Sequence, residues 1–209
     1  MNFFDIGNVA VSIMGYPISY VELIGTLFGL ISVFYASLAK ILTWPTGIVN
    51  EVFLFILFFQ VQLYADMFLQ VYFFIVTIYG WYNWKTNTIE KKITTTTFRG
   101  RLWWAAAAVI GTITFGYLFL NIHTLLPAYF KTPAAFPFAD SFVMVLSIIA
   151  TVLLARKKIE NWILWITGDV VCVVLYFKKQ IYFLSLEYFL FLGLASYGLY
   201  HWNKTLKNG

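Results

Sequence analysis

Cysteine, histidine and charge are all scarce in this chain of 209 residues. Its one cysteine, Cys172, excludes an intrachain disulfide and any multi-cysteine zinc or iron–sulfur site. Its two histidines, His123 and His201, fall at opposite ends of the apolar segments, and no His-Glu-x-x-His occurs, so metal chemistry has no ligand set. With no nucleophile–base pair either, an enzyme is not expected and no cofactor is implied. Charged residues make up 11%, against roughly 25% in soluble domains. Hydrophobic residues reach 61%, aromatics 21%, and the mean hydropathy is +0.80. That composition excludes a soluble globular domain, a disordered chain and a collagen-like one.

Apolar runs of about 20 residues match the roughly 30 Å of a bilayer core. Seven are visible, at 21–38, 44–60, 64–84, 102–120, 137–154, 162–177 and 182–202. Residues 1–20 are half polar and read as an interfacial lead-in without the basic n-region of a signal peptide. Thr43 before Trp44-Pro45, and Asn161 before Trp162, read as helix N-caps. The last span, 182–202, has no lysine for a retinal Schiff base, which removes a photoreceptor.

The pI near 9.2 could suggest nucleic acid, but the placement of the 14 Lys and Arg points to a membrane. With the N-terminus outside, 11 of them lie in inner loops and three, Lys131, Lys178 and Lys179, lie outside. The positive-inside rule then gives N-out and C-in. The segment 85–101, polar and threonine-rich, is the one linker.

Sliding the chain on itself by 118 residues superimposes 44–84 on 162–202, with 12 identities in 41 positions. Trp44 meets Trp162, Gln62 meets Gln180, and Tyr-Gly-x-Tyr-x-Trp ends both segments, at 79–84 and 197–202. Apolar composition inflates chance matches but not these. The organisation expected is an interfacial segment (1–20), a three-helix repeat (21–84), a linking stretch with one helix (85–136), a second three-helix repeat (137–202) and a tail (203–209). One linking helix lets both repeats enter the membrane in the same direction, so they form a parallel 3+1+3 pair with a cavity between them.

Charges inside the hydrocarbon are functional candidates by default. Glu51 follows Trp44 by seven residues, and Asp169 follows Trp162 by seven, so the two acids share one repeat position. Seven residues is nearly two turns, which puts each acid on its tryptophan's face; Trp165 joins the face of Asp169. Acids and aromatic faces together suit a cation or a hydroxyl-rich solute. The competing reading is helix packing through a neighbouring Thr, Asn or Tyr. Asn50 could act in place of Glu51, and Gln70, Glu187, Tyr188 and Tyr197 complete the candidate set. Gln60 reads as a short-loop or helix polar. Gln62 and Gln180 read as helix caps, Asp66 as solvated, and Tyr79, Tyr82, Trp84, Tyr200 and Trp202 as an interfacial belt. Cys172 reads as packing, and Gly25-x-x-x-Gly29 as close helix contact.

The motifs Gln-Leu-Tyr-Ala-Asp (62–66) and Asn-Trp-x-x-Trp-x-x-x-Asp (161–169), with the segments around them, resemble the PnuC family of bacterial vitamin transporters. The resemblance covers nearly the whole chain. It implies an all-α, SWEET-like arrangement of seven helices, often a homotrimer, in the inner membrane. It also implies facilitated diffusion of an unphosphorylated vitamin precursor, trapped by a cytoplasmic kinase. Nicotinamide riboside is the leading substrate, with thiamine as the alternative and riboflavin behind them. Family binding residues map onto Trp165 and Asp169; some nicotinamide riboside carriers have asparagine at the latter position. A channel or a membrane scaffold is the reading from another class, which saturable flux would separate from a carrier.

Overall fold

The computed structural model describes residues 3–13, 15–61, 64–86, 92–127, 135–178, 180 and 182–208. Among them are seven helices: α1 (Tyr20–Ser37), α2 (Thr43–Gln60), α3 (Tyr64–Thr86), α4 (Phe98–Leu125), α5 (Pro137–Ala155), α6 (Glu160–Lys178) and α7 (Tyr182–Asn208). Two strands, β1 (Val9–Ile13) and β2 (Tyr16–Ser19), precede them as an antiparallel hairpin around Gly15, whose φ of 81° belongs to the left-handed region. The hairpin lies in residues 1–20, the segment read from sequence as an interfacial lead-in.

Local chemistry explains most of the boundaries. Ser19 caps α1 by accepting from the Glu22 amide at 3.1 Å, and Ser-x-x-Glu is a capping-box pattern. Thr97 caps α4 through the Gly100 amide. Pro137 begins α5, where its missing N–H costs nothing. The two caps expected at Thr43 and Asn161 are corrected. Both residues lie inside the first turn of their helices. The Thr43 hydroxyl donates to the Ser32 carbonyl (2.9 Å) and so ties α2 to α1, while Asn161 Nδ2 donates to the Lys158 carbonyl.

α1 and α5 end alike. Lys40 N bonds Tyr35 O and Ala39 N bonds Ala36 O; Lys158 N bonds Leu153 O and Lys157 N bonds Leu154 O. These are Schellman closures. Ala39 (φ 52°) and Lys157 (φ 50°) hold the left-handed position that glycine usually takes.

Helix neighbours define a ring. α1 packs on α2 and α7, α3 on α2 and α5, and α6 on α5 and α7. α4 stands outside it on α5, seated where Gly111 meets Val145 and Gly116 admits the ring of Phe138. Nearly all of α4's large apolar side chains are exposed, among them Trp103, Val109, Ile110 and Tyr117. A helix apolar all round and left uncovered is suited to lipid.

Five helices, α1, α4, α5, α6 and α7, are long and apolar enough to cross a membrane. The other two carry more polar groups, including Thr43, Thr46, Asn50, Glu51 and Gln60 in α2 and Asp66, Gln70, Asn83 and Lys85 in α3. α4 and α7 outrun their expected spans, and the stretch 203–208 continues α7 instead of forming a separate tail.

Candidate functional site: buried acids inside the helix ring

The ring encloses two acids. Glu51 on α2 is 7% exposed and Asp169 on α6 is 5% exposed. Burying a carboxylate costs several kcal/mol unless a partner compensates, so the partners decide what each acid is for. Glu51 has one: the Thr77 hydroxyl on α3 donates to its Oε1 at 2.5 Å. Its Oε2 is buried without a partner among the described residues. Gly47, one turn before Glu51, keeps this contact region narrow, with Ser32 Oγ 3.3 Å from the place of a Cβ.

Asp169 has no hydrogen bond or ion pair among the described residues. Beside it, Gly168 is buried, yet a Cβ there would meet no atom within 4 Å. A buried backbone facing open space inside a helix ring marks room for something not made of protein. Gln70 on α3 is 7% exposed and has no hydrogen-bond partner among the described residues. Tyr188 on α7 stacks on Tyr176 of α6 (5.4 Å, 10°) and lies within electrostatic range of both Asp169 and Glu187. Gln70 and Tyr188 are 118 residues apart, so they hold the same position in the two segments. Asp169 and Gln70 thus offer acceptors and donors with unused capacity among the described residues.

Other candidates are placed elsewhere. Asn50 Nδ2 donates to the Gly25 carbonyl at 2.8 Å and lies 2.9 Å from where a Cβ on Gly29 would stand. Its amide therefore joins α1 to α2, and Gly25-x-x-x-Gly29 is the surface that lets α2 approach. Glu187 accepts from Thr26 at 3.2 Å and links α7 to α1. Tyr197 is exposed and stacks on His201 (6.1 Å), away from the buried acids.

Trp44 and Trp162 do not join the acids either. They are 2% and 1% exposed and pack edge-on against Trp84 (5.0 Å, 87°) and Trp202 (5.6 Å, 87°). Their clamps are glycines: a Cβ on Gly198 would stand 2.6 Å from the Trp162 ring, and one on Gly80 would overlap Trp44. Trp84 and Trp202, read from sequence as an interfacial belt, are buried. Trp165 is half-buried and packs against this tryptophan cluster while sitting one turn before Asp169. Cys172 is buried. Gln60 holds the N-terminal segment, donating to Phe4 O (2.6 Å) and accepting from Ile6 N (3.2 Å). Gln180, with φ 63°, bonds back to Phe177 and closes α6. Gln62, Lys91, Lys131 and Lys179 lie outside the described residues.

Sequence reasoning missed Thr77, Tyr176 and the space at Gly168. Thr77 was findable: it follows Gln70 by seven residues and so shares its face of α3. The space at Gly168 was not, because a void depends on how neighbouring helices pack and not on the residues of one.

Unpaired polar groups buried among membrane-crossing helices are the mark of a solute pathway, which defines the class as a multi-pass membrane transporter. A profile described as nicotinamide mononucleotide transporter matches residues 19–204, and the chain belongs to that family. It is 38% identical to the nicotinamide riboside transporter PnuC of Escherichia coli (strain K12), over 97% of this chain and 94% of that one. It is 27% identical to the riboflavin/roseoflavin transporter RibM of Streptomyces davaonensis, over 87% and 83%. A crystal structure of the vitamin B3 transporter PnuC superimposes with a TM-score of 0.69 at 23% identity, covering 90% of this chain and 83% of that one. These relatives are transporters, not enzymes.

Proposed function

We propose that this chain imports nicotinamide riboside across the bacterial inner membrane by uncoupled alternating access, and that a cytoplasmic kinase traps the product. The observation that carries the reading is the unpaired Asp169, buried beside the open space at Gly168 and complemented by the unpaired Gln70. Nicotinamide riboside has a cationic ring for the acid and hydroxyls for acid and amide together. The 38% identity to the nicotinamide riboside transporter PnuC supports this solute over thiamine. RibM keeps riboflavin as the second reading, at lower identity.

The parallel 3+1+3 arrangement, with N-out and C-in, belongs to the same proposal. Its support is that the neighbour pairs α1·α7 and α3·α5 exchange when α1, α2, α3 are replaced by α5, α6, α7. α2 and α3 are the remaining two spans. The apolar face of α4 is free for lipid or for the other copies of a homotrimer.

The test is uptake of labelled nicotinamide riboside into proteoliposomes, with thiamine and riboflavin as competitors. Saturable uptake that only unlabelled nicotinamide riboside suppresses is expected. Suppression by riboflavin or thiamine alone reassigns the solute, and accumulation driven by a sodium or proton gradient removes the uncoupled mechanism.

A further inference from the structure

We infer that Trp84 and Trp202 form the gate at the basic end of the helix ring, the contact that must part before solute leaves on that side. The inference rests on the carrier reading above. α3 and α7 finish at this end, where α1 and α5 close with their Schellman turns. Each indole N–H reaches across to the other half of the chain. Trp84 Nε1 donates to Ala155 O of α5 at 3.0 Å, and Trp202 Nε1 donates to Ala36 O of α1 at 3.1 Å. The two rings meet at 6.5 Å and 45°.

The tryptophans behind them stay at home. Trp44 packs on Trp84 and on Gly80, all in α2 and α3; Trp162 packs on Trp202 and on Gly198, all in α6 and α7. Among the described residues neither Trp44 Nε1 nor Trp162 Nε1 has a partner. Hydrogen bonds from the cluster that cross between halves therefore come from Trp84 and Trp202, and the plane of separation passes between those two rings. Opening removes an indole donor from each of two carbonyls at helix ends, where water can take its place.

The two sides of the gate are unequal. Asn83 Nδ2 also donates to Ala155 O (3.0 Å), and Lys157 Nζ stands 4.5 Å over the Trp84 ring. His201 occupies the position 118 residues after Asn83, and its Nδ1 is buried without a partner among the described residues. The Trp84 side is thus the firmer hinge and the Trp202 side the part that yields first. The route from solute to gate is short. Trp165 packs against the cluster that holds both gate tryptophans and lies one turn before Asp169 on α6.

The test uses full-length protein with Cys172→Ala, oriented in proteoliposomes. Ser37→Cys places a thiol beside Ala36, at a fully buried site; Ser141→Cys places one at an equally buried site in the first turn of α5, at the opposite end. A charged methanethiosulfonate reagent is applied from the C-terminal face. Replacing Trp84 and Trp202 by Phe keeps both rings and removes both crossing bonds. Labelling at residue 37 is expected to rise about tenfold or more, the shift that two lost net hydrogen bonds produce, with residue 141 unchanged. No change at 37, or equal increases at both sites, overturns the gate. Labelling needs no solute, so it decides the gate even if nicotinamide riboside is not carried. A second arm links Trp84→Cys to Trp202→Cys with a short bifunctional thiol reagent. Flux that stops on linking and returns on reduction is expected, and flux that continues through linked protein overturns the gate.

Discussion

The Thr77 hydroxyl donates to Glu51 Oε1 at 2.5 Å, whereas the residue 118 positions after Thr77 is Ala195, which has nothing to offer Asp169. Two acids at one repeat position therefore differ in what remains free. Glu51 is held by α3, and Asp169 is left open beside unfilled space. Under the proposed function, the difference gives helix packing to the first acid and recognition to the second.

Ala195→Thr restores the missing donor. One net hydrogen bond is worth roughly 1 kcal/mol, so binding of nicotinamide riboside should weaken about five- to tenfold while the fold is kept. Isothermal titration of detergent-solubilised protein reads the affinity, and far-UV circular dichroism the fold. An unchanged affinity would show that Asp169 is not the recognising acceptor.

Thr77→Val has the opposite character. It strips Glu51 of its donor when Oε2 already has none. A buried group left unsatisfied costs about 1–3 kcal/mol, so stability should fall by that order with solute affinity nearly untouched. Adding Glu51→Met to Thr77→Val should recover most of the loss, because an apolar pair of similar volume replaces a buried charge without its desolvation. Unfolding midpoints in denaturant measure both steps. A double variant as unstable as the single one would mean that Glu51 has a further partner.

At Asp169 itself, charge and hydrogen bonding separate. Asp169→Asn keeps an acceptor of the same size and removes the charge; Asp169→Ala removes both. The order of affinities for nicotinamide riboside should be wild type, then Asn, then Ala. Each step should amount to about three- to tenfold, in line with hydrogen bonds to charged groups being worth roughly twice neutral ones. Glu51→Gln should stay within about threefold of wild type on the same scale. Equal losses at positions 51 and 169 would contradict the division of labour between the two acids.

Much of this was visible in the residues. Hydropathy located seven helices because a lipid-facing helix must be apolar across the bilayer core; it missed the more polar ends of α4 and α7. The buried acids stood out because charge is costly there. Facing was harder to read. A seven-residue spacing put Trp44 with Glu51 and Trp162 with Asp169, yet the rings pack under Gly80 and Gly198 on the next helix. Periodicity says which residues share a stripe of one helix; it does not say where along that stripe a neighbour's glycine leaves room. The left-handed turns at Ala39 and Lys157 were equally hidden, because the usual sign is glycine and neither residue is one. The hairpin escaped notice because its strands are five and four residues long and only weakly alternating.

The last prediction concerns the stretch that joins α4 to the rest. Glu160, in the first turn of α6, accepts from Thr96 N (2.9 Å), Thr96 Oγ1 (3.1 Å) and Arg101 Nε (3.0 Å). Thr94 pairs with the α5–α6 turn through Lys157 O and the Ile159 amide. The ion pair with Arg101 is conspicuous but weak in principle, since the arginine side chain is 55% exposed and exposed pairs contribute about 0.2–1 kcal/mol. The bond to the Thr96 amide matters more, because without Glu160 that N–H loses its acceptor. Arg101→Ala should therefore leave amide exchange across 94–97 within about threefold of wild type. Glu160→Ala should speed exchange at Thr96 by about tenfold or more, while Thr94, held by the α5–α6 turn, changes less. Hydrogen–deuterium exchange read by mass spectrometry on both variants decides it. If Arg101→Ala loosened the segment as much as Glu160→Ala, the ion pair and not the carboxylate–amide bond would be what fastens α4 to the second half of the chain.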